Sequence, residues 1–396
     1  MRVPETETSG QNDTYRSAFS PGQAIGAVAL LLLLYGVGFG FGGEFEAIMT
    51  AGLEPIPVAI LAVLAYVGAG RTGGRLVAIF WLLGLIGAMA VLVLSNSFMA
   101  VLTEPVLRPG DWPEFVAGGQ TRLLFVFLGL GLSVLVGGLG FVPGVRAWLS
   151  RRLPFEPTNF VHTIALVMVI TLSLLSFVPL IFLGQPPLLT VVTGLAAQGE
   201  TLVDRDNAGL LRDQLYKLLW LLPAVALAVG YGTRRNLKQA LLRLGLVKPT
   251  RRQVLAGIGL AMALVWAVNG LDHALSWLWA QAGWARTDGE AFGLIIDFAL
   301  TPVGAVVLGI TAGLGEELAV RGVLQPRMGI WLSNLLFTAL HALQYSWDGV
   351  LIVFLIGLVF GFIRQKSNTT TCAIIHGLYD FIIIMAVVLE VPGFEF

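Results

Sequence analysis

The apolar stretch from residue 76 to residue 95 decides the fold class, and its sequence is LVAIFWLLGLIGAMAVLVLS. It contains no charged residue and, at about 1.5 Å per residue, is long enough to cross about 30 Å of hydrocarbon as a helix. Similar runs recur along the whole chain of 396 residues, of which 56% are hydrophobic and only 12% are charged. A soluble domain carries about 25% charged residues, and the short alternating segments of a transmembrane barrel are missing. The chain is therefore predicted to be all-α, a polytopic transmembrane helical bundle.

The apolar runs predict about eleven spans, separated by polar or charged segments. The first run, residues 22–42, follows a polar N-terminal segment, residues 1–21. It is too long for the apolar region of a signal peptide and no small-residue cleavage site ends it, so we interpret it as the first span. The other spans are predicted near residues 55–70, 76–95, 122–143, 159–183, 214–232, 253–271, 291–313, 329–345, 349–363 and 370–390.

Basic residues follow every second span and orient the bundle, because cytoplasmic loops carry an excess of Lys and Arg. This alternation predicts a cytoplasmic N-terminus, and we expect a multi-pass protein of the plasma membrane. The densest group lies in residues 233–252, which contain no acidic residue. This basic segment is either amphipathic and bound to anionic lipid headgroups or a solvated cytoplasmic loop. It divides an N-terminal bundle of about six spans, residues 22–232, from a C-terminal region, residues 253–396.

Charge and cysteine content exclude several functional classes. The 24 Lys and Arg balance the 24 Asp and Glu, so a nucleic-acid partner is not expected. The single cysteine, Cys372, rules out an internal disulfide framework and a cysteine metal cage. We find no internal repeat of the kind that many transporters carry. Small residues four apart, Gly309 with Gly313 and Gly357 with Gly361, predict close helix packing in the C-terminal region.

Ionisable residues inside predicted spans are the most informative feature of the C-terminal region. A charge at the centre of the bilayer costs about 2.5–3.5 kcal/mol on insertion scales, so it needs a partner, a cavity or a function. Alone, a Glu–Arg pair is explained as a structural ion pair, and a single histidine as a hydrogen bond between helices. Together on three helices, these groups predict one functional site. The candidate catalytic residues are Glu316, Glu317, Arg321, His341, His376 and Asp380.

The spacing of these residues places each set on one face of its helix. Glu317 and Arg321 are four residues apart, as are His376 and Asp380, and residues four apart are neighbours on a helix surface. His341 likewise follows Phe337 by four. The adjacent basic loops put all three sets on the cytoplasmic side, and at about 1.5 Å per residue they reach similar depths. One cavity below that face is therefore expected.

Carboxylates beside imidazoles in a partly dry cavity suit general acid–base chemistry, because burial and nearby charges tune their protonation. A glutamate can deprotonate a water, and imidazoles with an arginine can stabilise the oxyanion of a tetrahedral intermediate. The H-E-x-x-H zinc motif and the Gly-x-Ser-x-Gly elbow are absent from the sequence. Zinc held by Glu316, His341, His376 and Asp380 is an alternative that the ligand types allow, although we do not favour it.

Three motifs resemble those of the CPBP family, the CAAX proteases and bacteriocin-processing enzymes, also called the ABI family of intramembrane proteases. The family pattern is E-E-x-x-x-R, then F-x-x-x-H, then H-x-x-x-N or a similar polar residue. The chain has, in this order, Glu316-Glu317-x-x-x-Arg321, Phe337-x-x-x-His341 and His376-x-x-x-Asp380. The resemblance covers about residues 295–390 and leaves the preceding six spans without an assigned role.

The resemblance implies glutamate-dependent proteolysis. By it, Glu316 would activate the water with assistance from His341. His376 and the residue at position 380 would bind the oxyanion, and Arg321 would orient the glutamates. Asp380 departs from the usual asparagine, and an ionised carboxylate repels an oxyanion. It is therefore protonated, paired with His376 or Arg321, or used differently.

The chain is accordingly predicted to be an intramembrane endopeptidase that needs no cofactor. Its expected substrate is a membrane-associated or lipid-anchored protein or peptide, cut near the cytoplasmic face. Two alternatives treat the same residues differently. A proton-coupled transporter would use them as a relay, and a non-catalytic immunity or scaffold protein of the same family would not depend on them.

Overall fold

The computed structural model describes residues 40–103, 112–199 and 206–394, with isolated positions between residues 26 and 37, and only the backbone of residues 112–117. The described chain is almost entirely helical. Its first half forms α1 (Gly43–Ala51), α2 (Pro55–Gly68), α3 (Thr72–Thr103), α4 (Trp112–Gly138), α5 (Pro143–Leu149), α6 (Phe160–Leu183), α7 (Pro187–Ala197) and α8 (Asn207–Ala228). Its second half forms α9 (Leu237–Leu244), α10 (Arg251–Ala282), α11 (Gly289–Ile295), α12 (Pro302–Glu317), α13 (Gln325–His341), α14 (Trp347–Lys366) and α15 (Thr369–Val388).

Long apolar helices confirm the predicted class, a helical protein of the membrane. Within the described residues, 7 helical segments are long and apolar enough to span a bilayer, or up to 8 if the bent pair α1 and α2 forms one span. The predicted count of about eleven is not confirmed. One reason is that the predicted first span, residues 22–42, lies largely outside the described residues.

The predicted span 214–232 corresponds to α8, which is not among these segments. The helix begins earlier, at Asn207, and its first half carries Arg212, Asp213 and Lys217. The apolar part that remains is too short to cross about 30 Å of hydrocarbon. The predicted span is therefore not confirmed, because the charged turns at the start of α8 belong to the same helix as its apolar part.

The predicted spans 291–313 and 329–345 fall mainly in one continuous helical run, Pro302–His341, of 40 residues. A π-helical segment, Leu318–Leu324, joins α12 to α13 without a polar loop. The chain changes direction at Gly329, whose φ of 72° and ψ of 174° lie in a region that is essentially reserved for glycine. The boundary between the two predicted spans is therefore a kink and not a polar loop, and 40 residues at about 1.5 Å each are long enough for two crossings. Pro302 begins α12, where its missing N–H costs nothing, and does not kink it.

Glycines bring α12 and α15 into backbone contact. A Cβ added at Gly313 would lie 2.5 Å from the backbone N of Gly377 and 2.6 Å from its Cα. One added at Gly309 would lie 2.6 Å from Gly377 O. Only hydrogen side chains allow this approach, which is how small residues drive association of helices in membranes. The predicted packing role of Gly309 and Gly313 is confirmed.

A second glycine pair, Gly357 and Gly361 on α14, allows α13 to pack closely against this helix. A Cβ at Gly361 would lie 2.7 Å from Cγ2 of Ile330, and one at Gly357 would lie 3.0 Å from Cδ1 of Phe337. The predicted packing role of this pair is confirmed as well. The helices α12, α13, α14 and α15 are thereby held as one group, and all the candidate site residues lie on this group or on the π-helical segment within it.

The basic segment, residues 233–252, is more than a solvated loop. It contains α9, whose Ala240 and Leu244 are buried in a cluster with Leu318 of the π-helical segment. The Oγ1 of Thr369, at the start of α15, donates to Leu244 O at 2.6 Å. The loop interpretation is therefore wrong for α9, which packs between two segments that carry site residues.

We predict that Gly313→Ala destabilises the protein, because the added methyl group meets backbone and not a flexible side chain. The expected loss is about 1–3 kcal/mol of unfolding free energy, typical of overpacking, measured as a lower midpoint of thermal unfolding in detergent. Gly259→Ala in α10 is the matched control, since a Cβ there meets nothing within 4 Å. Equal midpoints for the two variants would contradict the proposed role of the contact.

Candidate active site

Glu317 and Arg321 form a fully buried ion pair at the start of the π-helical segment. Arg321 Nη1 lies 3.3 Å from Glu317 Oε1, and the two side chains are 1% and 0% exposed. Arg321 Nη2 donates to Gly357 O on α14 at 2.9 Å. Its guanidinium lies 4.5 Å from the ring centroid of Phe337 and 5.7 Å from that of Phe360. The arginine is thus held by an ion pair, a hydrogen bond and two aromatic faces.

His376 reaches this pair from α15, across the glycine contact. Its Nδ1 lies 3.0 Å from Glu317 Oε1. An ionised carboxylate only accepts hydrogen bonds, so Nδ1 carries the proton in this contact. The imidazole also stacks on Phe360, with ring centroids 4.6 Å apart. Glu317 and Phe360 together fix the orientation of the ring.

The other ring nitrogen of His376 faces two further carboxylates. Nε2 lies 3.5 Å from Asp380 Oδ2 and 3.9 Å from Glu316 Oε2. The structure therefore brings together five of the six predicted residues: Glu316, Glu317, Arg321, His376 and Asp380. The predicted i, i+4 spacings are observed as contacts for both pairs, Glu317 with Arg321 and His376 with Asp380.

The two adjacent glutamates have different environments. Glu317 is completely buried and holds both Arg321 and His376. The Glu316 side chain is 37% exposed, and its only ion-pair contact among the described residues is the long one to His376. The exposed carboxylate of Glu316 can therefore contact a water or a substrate, whereas the buried carboxylate of Glu317 already contacts Arg321 and His376.

His341 joins the site less directly. It ends α13, and its Nδ1 lies 2.8 Å from the carbonyl oxygen of Phe337. A carbonyl only accepts, so Nδ1 carries the proton and Nε2 of the neutral ring is left as an acceptor. Among the described residues, no hydrogen bond or ion pair joins His341 to Glu316 or His376. Phe337 lies between the histidines, with its centroid 4.8 Å from the ring of His341 and 6.5 Å from that of His376.

Three aromatic residues of the site were not predicted to have a role. Phe337 was noticed only as part of a motif, and nothing in the sequence distinguishes Phe360 from the phenylalanines that face lipid. Tyr345 continues the four-residue spacing after His341 and stacks on it, with centroids 6.1 Å apart. Burial, and then the carboxylates of Asp380 and Glu316, raise the pKa of Tyr345, so that its hydroxyl stays protonated. The four-residue spacing from His341 is a sequence signal that points to Tyr345.

The zinc alternative requires at least three ligand atoms at about 2.0–2.2 Å from one point. Within the described part of the chain, no group of three or more His, Cys, Asp or Glu side chains is arranged to hold a metal ion. His376 already contacts Glu317 through one nitrogen and faces Glu316 and Asp380 through the other. A bound zinc would therefore require these side chains to rearrange.

We predict that Glu317→Ala lowers stability far more than Glu316→Ala. The first change leaves Arg321 buried without its carboxylate, and loss of one partner of a buried ion pair costs about 3–5 kcal/mol. The second removes a partly exposed carboxylate, for which a cost below about 1 kcal/mol is expected. Unfolding of the two purified variants in detergent measures the difference. A similar loss in both would contradict the division between a buried and an accessible glutamate.

Comparison with known proteins agrees with this geometry. Residues 298–382 match the family model described as Rce1-like, type II CAAX prenyl endopeptidase Rce1-like. Nothing among the curated proteins or the solved structures matches the chain. The matched segment runs from the turn before α12 to just past Asp380 and contains all six predicted residues. The resemblance seen in the three motifs is confirmed: the C-terminal region of this integral membrane protein is similar, over residues 298–382, to the Rce1-like type II CAAX prenyl endopeptidases.

Proposed function

We propose that the protein is an intramembrane endopeptidase in which a glutamate activates water. The observation that carries the proposal is the pairing of two unlike glutamates around one histidine. Glu316 is accessible and lies 3.9 Å from His376 Nε2, while buried Glu317 holds Nδ1 of the same ring at 3.0 Å. A base, an oriented imidazole and an open side for substrate are the groups that peptide hydrolysis needs.

In the proposed reaction, the Glu316 carboxylate takes a proton from a water, and the resulting hydroxide attacks the peptide carbonyl carbon. The C–O bond forms as the carbonyl π electrons move to oxygen, which becomes the oxyanion of a tetrahedral intermediate. Glu316 then returns the proton to the leaving nitrogen, the oxyanion electrons re-form the C=O bond, and the C–N bond breaks to give a carboxylic acid and an amine. The acid then releases its proton to solvent. No covalent enzyme intermediate and no oxidant are needed, so the atoms and electrons balance.

His376 is the group best suited to bind the oxyanion. Its Nε2 is directed towards the side on which Glu316 lies, and an N–H there would donate to the developing negative charge. Glu317 lies 3.0 Å from Nδ1 of this ring and holds it in place. Arg321 lies behind Glu317 and contacts α14. We therefore assign Arg321 a positioning role and not direct contact with the substrate.

Asp380 stands where the family pattern usually has asparagine, and its contact with His376 suggests a role for the carboxylate. Asp380 Oδ2 lies 3.5 Å from Nε2, so an ionised Asp380 would pair with the imidazole before substrate binds. Of the three alternatives for this residue, pairing with His376 is the one supported by a contact. His341 is proposed to assist through its unprotonated Nε2, because Nδ1 is occupied by Phe337 O.

The proposed substrate is a membrane-associated or lipid-anchored protein or peptide. The family match supports a CAAX-type cleavage near a lipid anchor, and the apolar helices around the site support access from the bilayer. We propose further that the enzyme needs no metal or other cofactor. We propose the plasma membrane as its location and, from the distribution of basic loops, a cytoplasmic N-terminus.

We predict that Glu316→Gln abolishes cleavage of a membrane-tethered peptide, because an amide cannot accept the proton of the water. Loss of at least about a hundredfold is expected, the lower range for removal of a general base. The unfolding midpoint should stay within a few degrees of the parent protein. Cleavage is measured with purified protein in liposomes or detergent by following the released fragment.

Asp380→Asn is the matched control, since it makes the same carboxylate-to-amide change in the same cluster. It should retain measurable cleavage, because Glu316 remains to accept the proton of the water, and the amide of an asparagine can donate to an oxyanion. Undiminished cleavage in Glu316→Gln would overturn the proposed mechanism. Proton flux into liposomes without any peptide cleavage by the parent protein would indicate the transporter alternative.

A further inference from the structure

A polar cavity of about 250 Å³ lies away from the active site. It is formed where α2, the start of α6, the turn between α8 and α9, and the start of α13 meet. Neither the proposed reaction nor the family motifs use any residue that lines it. The polar lining includes Tyr66, Asn159, His162, Arg234, Arg235 and Arg327.

Arginines dominate the charge of this cavity. Among the described residues that line it, Arg234, Arg235 and Arg327 face a single carboxylate, that of Glu156. The Glu156 carboxylate is engaged locally, since its Oε2 accepts from Asn159 Nδ2 at 3.1 Å. The lining residues therefore carry more positive than negative charge.

Two of the arginines, Arg234 and Arg327, contact the neutral side chain of Tyr66. Arg327 Nη2 donates to the Tyr66 hydroxyl at 3.1 Å, and the Arg234 guanidinium lies 5.9 Å from the centroid of the same tyrosine ring. Arg235 Nη1 donates to Val229 O at 2.6 Å. The contacts with Tyr66 orient the guanidinium groups of Arg234 and Arg327 without neutralising them. A planar guanidinium has five N–H donors, so donors remain for a ligand.

The other polar groups add donors and positive potential. The backbone N–H of Glu156 donates to His162 Nδ1 at 3.0 Å, so this nitrogen is the acceptor and Nε2 carries the proton of the neutral ring. The N-terminus of α6 begins beside the cavity, at the capping residue Asn159, and a helix N-terminus favours an anion. The described lining thus offers mainly donors.

The positive charges of the cavity also act on a neighbouring arginine, Arg243. Arg243 of α9 donates from Nη1 to Gly322 O at 3.0 Å. Burial, and then the charges of Arg327 and Arg235, lower the pKa of Arg243 to about 9. An arginine normally keeps its proton well above pH 12. A bound anion would relieve this repulsion.

We propose that the cavity binds a phosphate group, either in the headgroup of an anionic phospholipid or as free inorganic phosphate. Guanidinium groups match phosphate in charge and geometry and bind it through paired N–H donors. The cavity volume is large enough for such a group together with water. The bound phosphate would link the basic segment at Arg234 to α13 at Arg327, the helix that ends at His341.

Phosphate binding is tested with the full-length protein by the rise in unfolding midpoint as ligand is added, because a ligand of the native state stabilises it. Inorganic phosphate is titrated in detergent against chloride at equal ionic strength. Separately, nanodiscs of phosphatidylcholine are compared with nanodiscs that also contain phosphatidylglycerol. A rise with inorganic phosphate identifies free phosphate as a ligand, and a rise confined to phosphatidylglycerol identifies the headgroup.

Arg234→Gln and Arg327→Gln should weaken binding at least about tenfold, the loss of one charge-assisted hydrogen bond. Arg252→Gln is the matched control, since it removes an exposed arginine of the same basic segment that does not line the cavity. Arg234 is exposed, so its variant stays folded even if the loss of the Tyr66 contact destabilises the Arg327 variant. No stabilisation by either ligand, or equal stabilisation of the parent and all three variants, would overturn the proposal.

Discussion

The backbone contact between α12 and α15 is the constraint on which the candidate site depends. Gly309 and Gly313 on one helix and Gly377 on the other leave no room for a Cβ. Glu317 lies four residues after Gly313, and His376 directly precedes Gly377, so the contact brings their side chains together. The 3.0 Å contact between His376 Nδ1 and Glu317 Oε1 follows from it. In a bilayer, burial of apolar surface does not drive helices together, because lipid is equally apolar. Close packing between small residues stabilises the helix pair instead.

Neighbouring glutamates with different burial explain how one site combines rigidity with reactivity. Glu317 is neutralised by Arg321 and is committed to holding the imidazole, which compensates the cost of its burial. Glu316 is one residue earlier and therefore lies on another side of the helix, where it is accessible. The π-helical segment that begins at Leu318 widens the helix at the point where Arg321 must reach α14. Such segments are frequent at functional sites.

Residue spacing predicted the site better than hydropathy predicted the spans. A four-residue offset is a geometric property of any helix, so Glu317 with Arg321 and His376 with Asp380 were predicted correctly as contacts. The number of spans depends on where helices begin and bend, which apolar windows do not show. The charged start of α8 and the kink at Gly329 are two examples. Burial of Arg243 against Gly322 also had no sequence signal, because it depends on tertiary packing of α9.

We propose that side chains from separate helices, without a metal, activate water to cut a peptide bond at the membrane. The most direct measurement is cleavage of a panel of membrane-tethered peptides by the purified protein, with and without a metal chelator. We expect that at least one peptide is cut and that its cleavage rate is the same in both conditions. Cleavage that stops with chelator and returns when a metal ion is restored would contradict the glutamate mechanism.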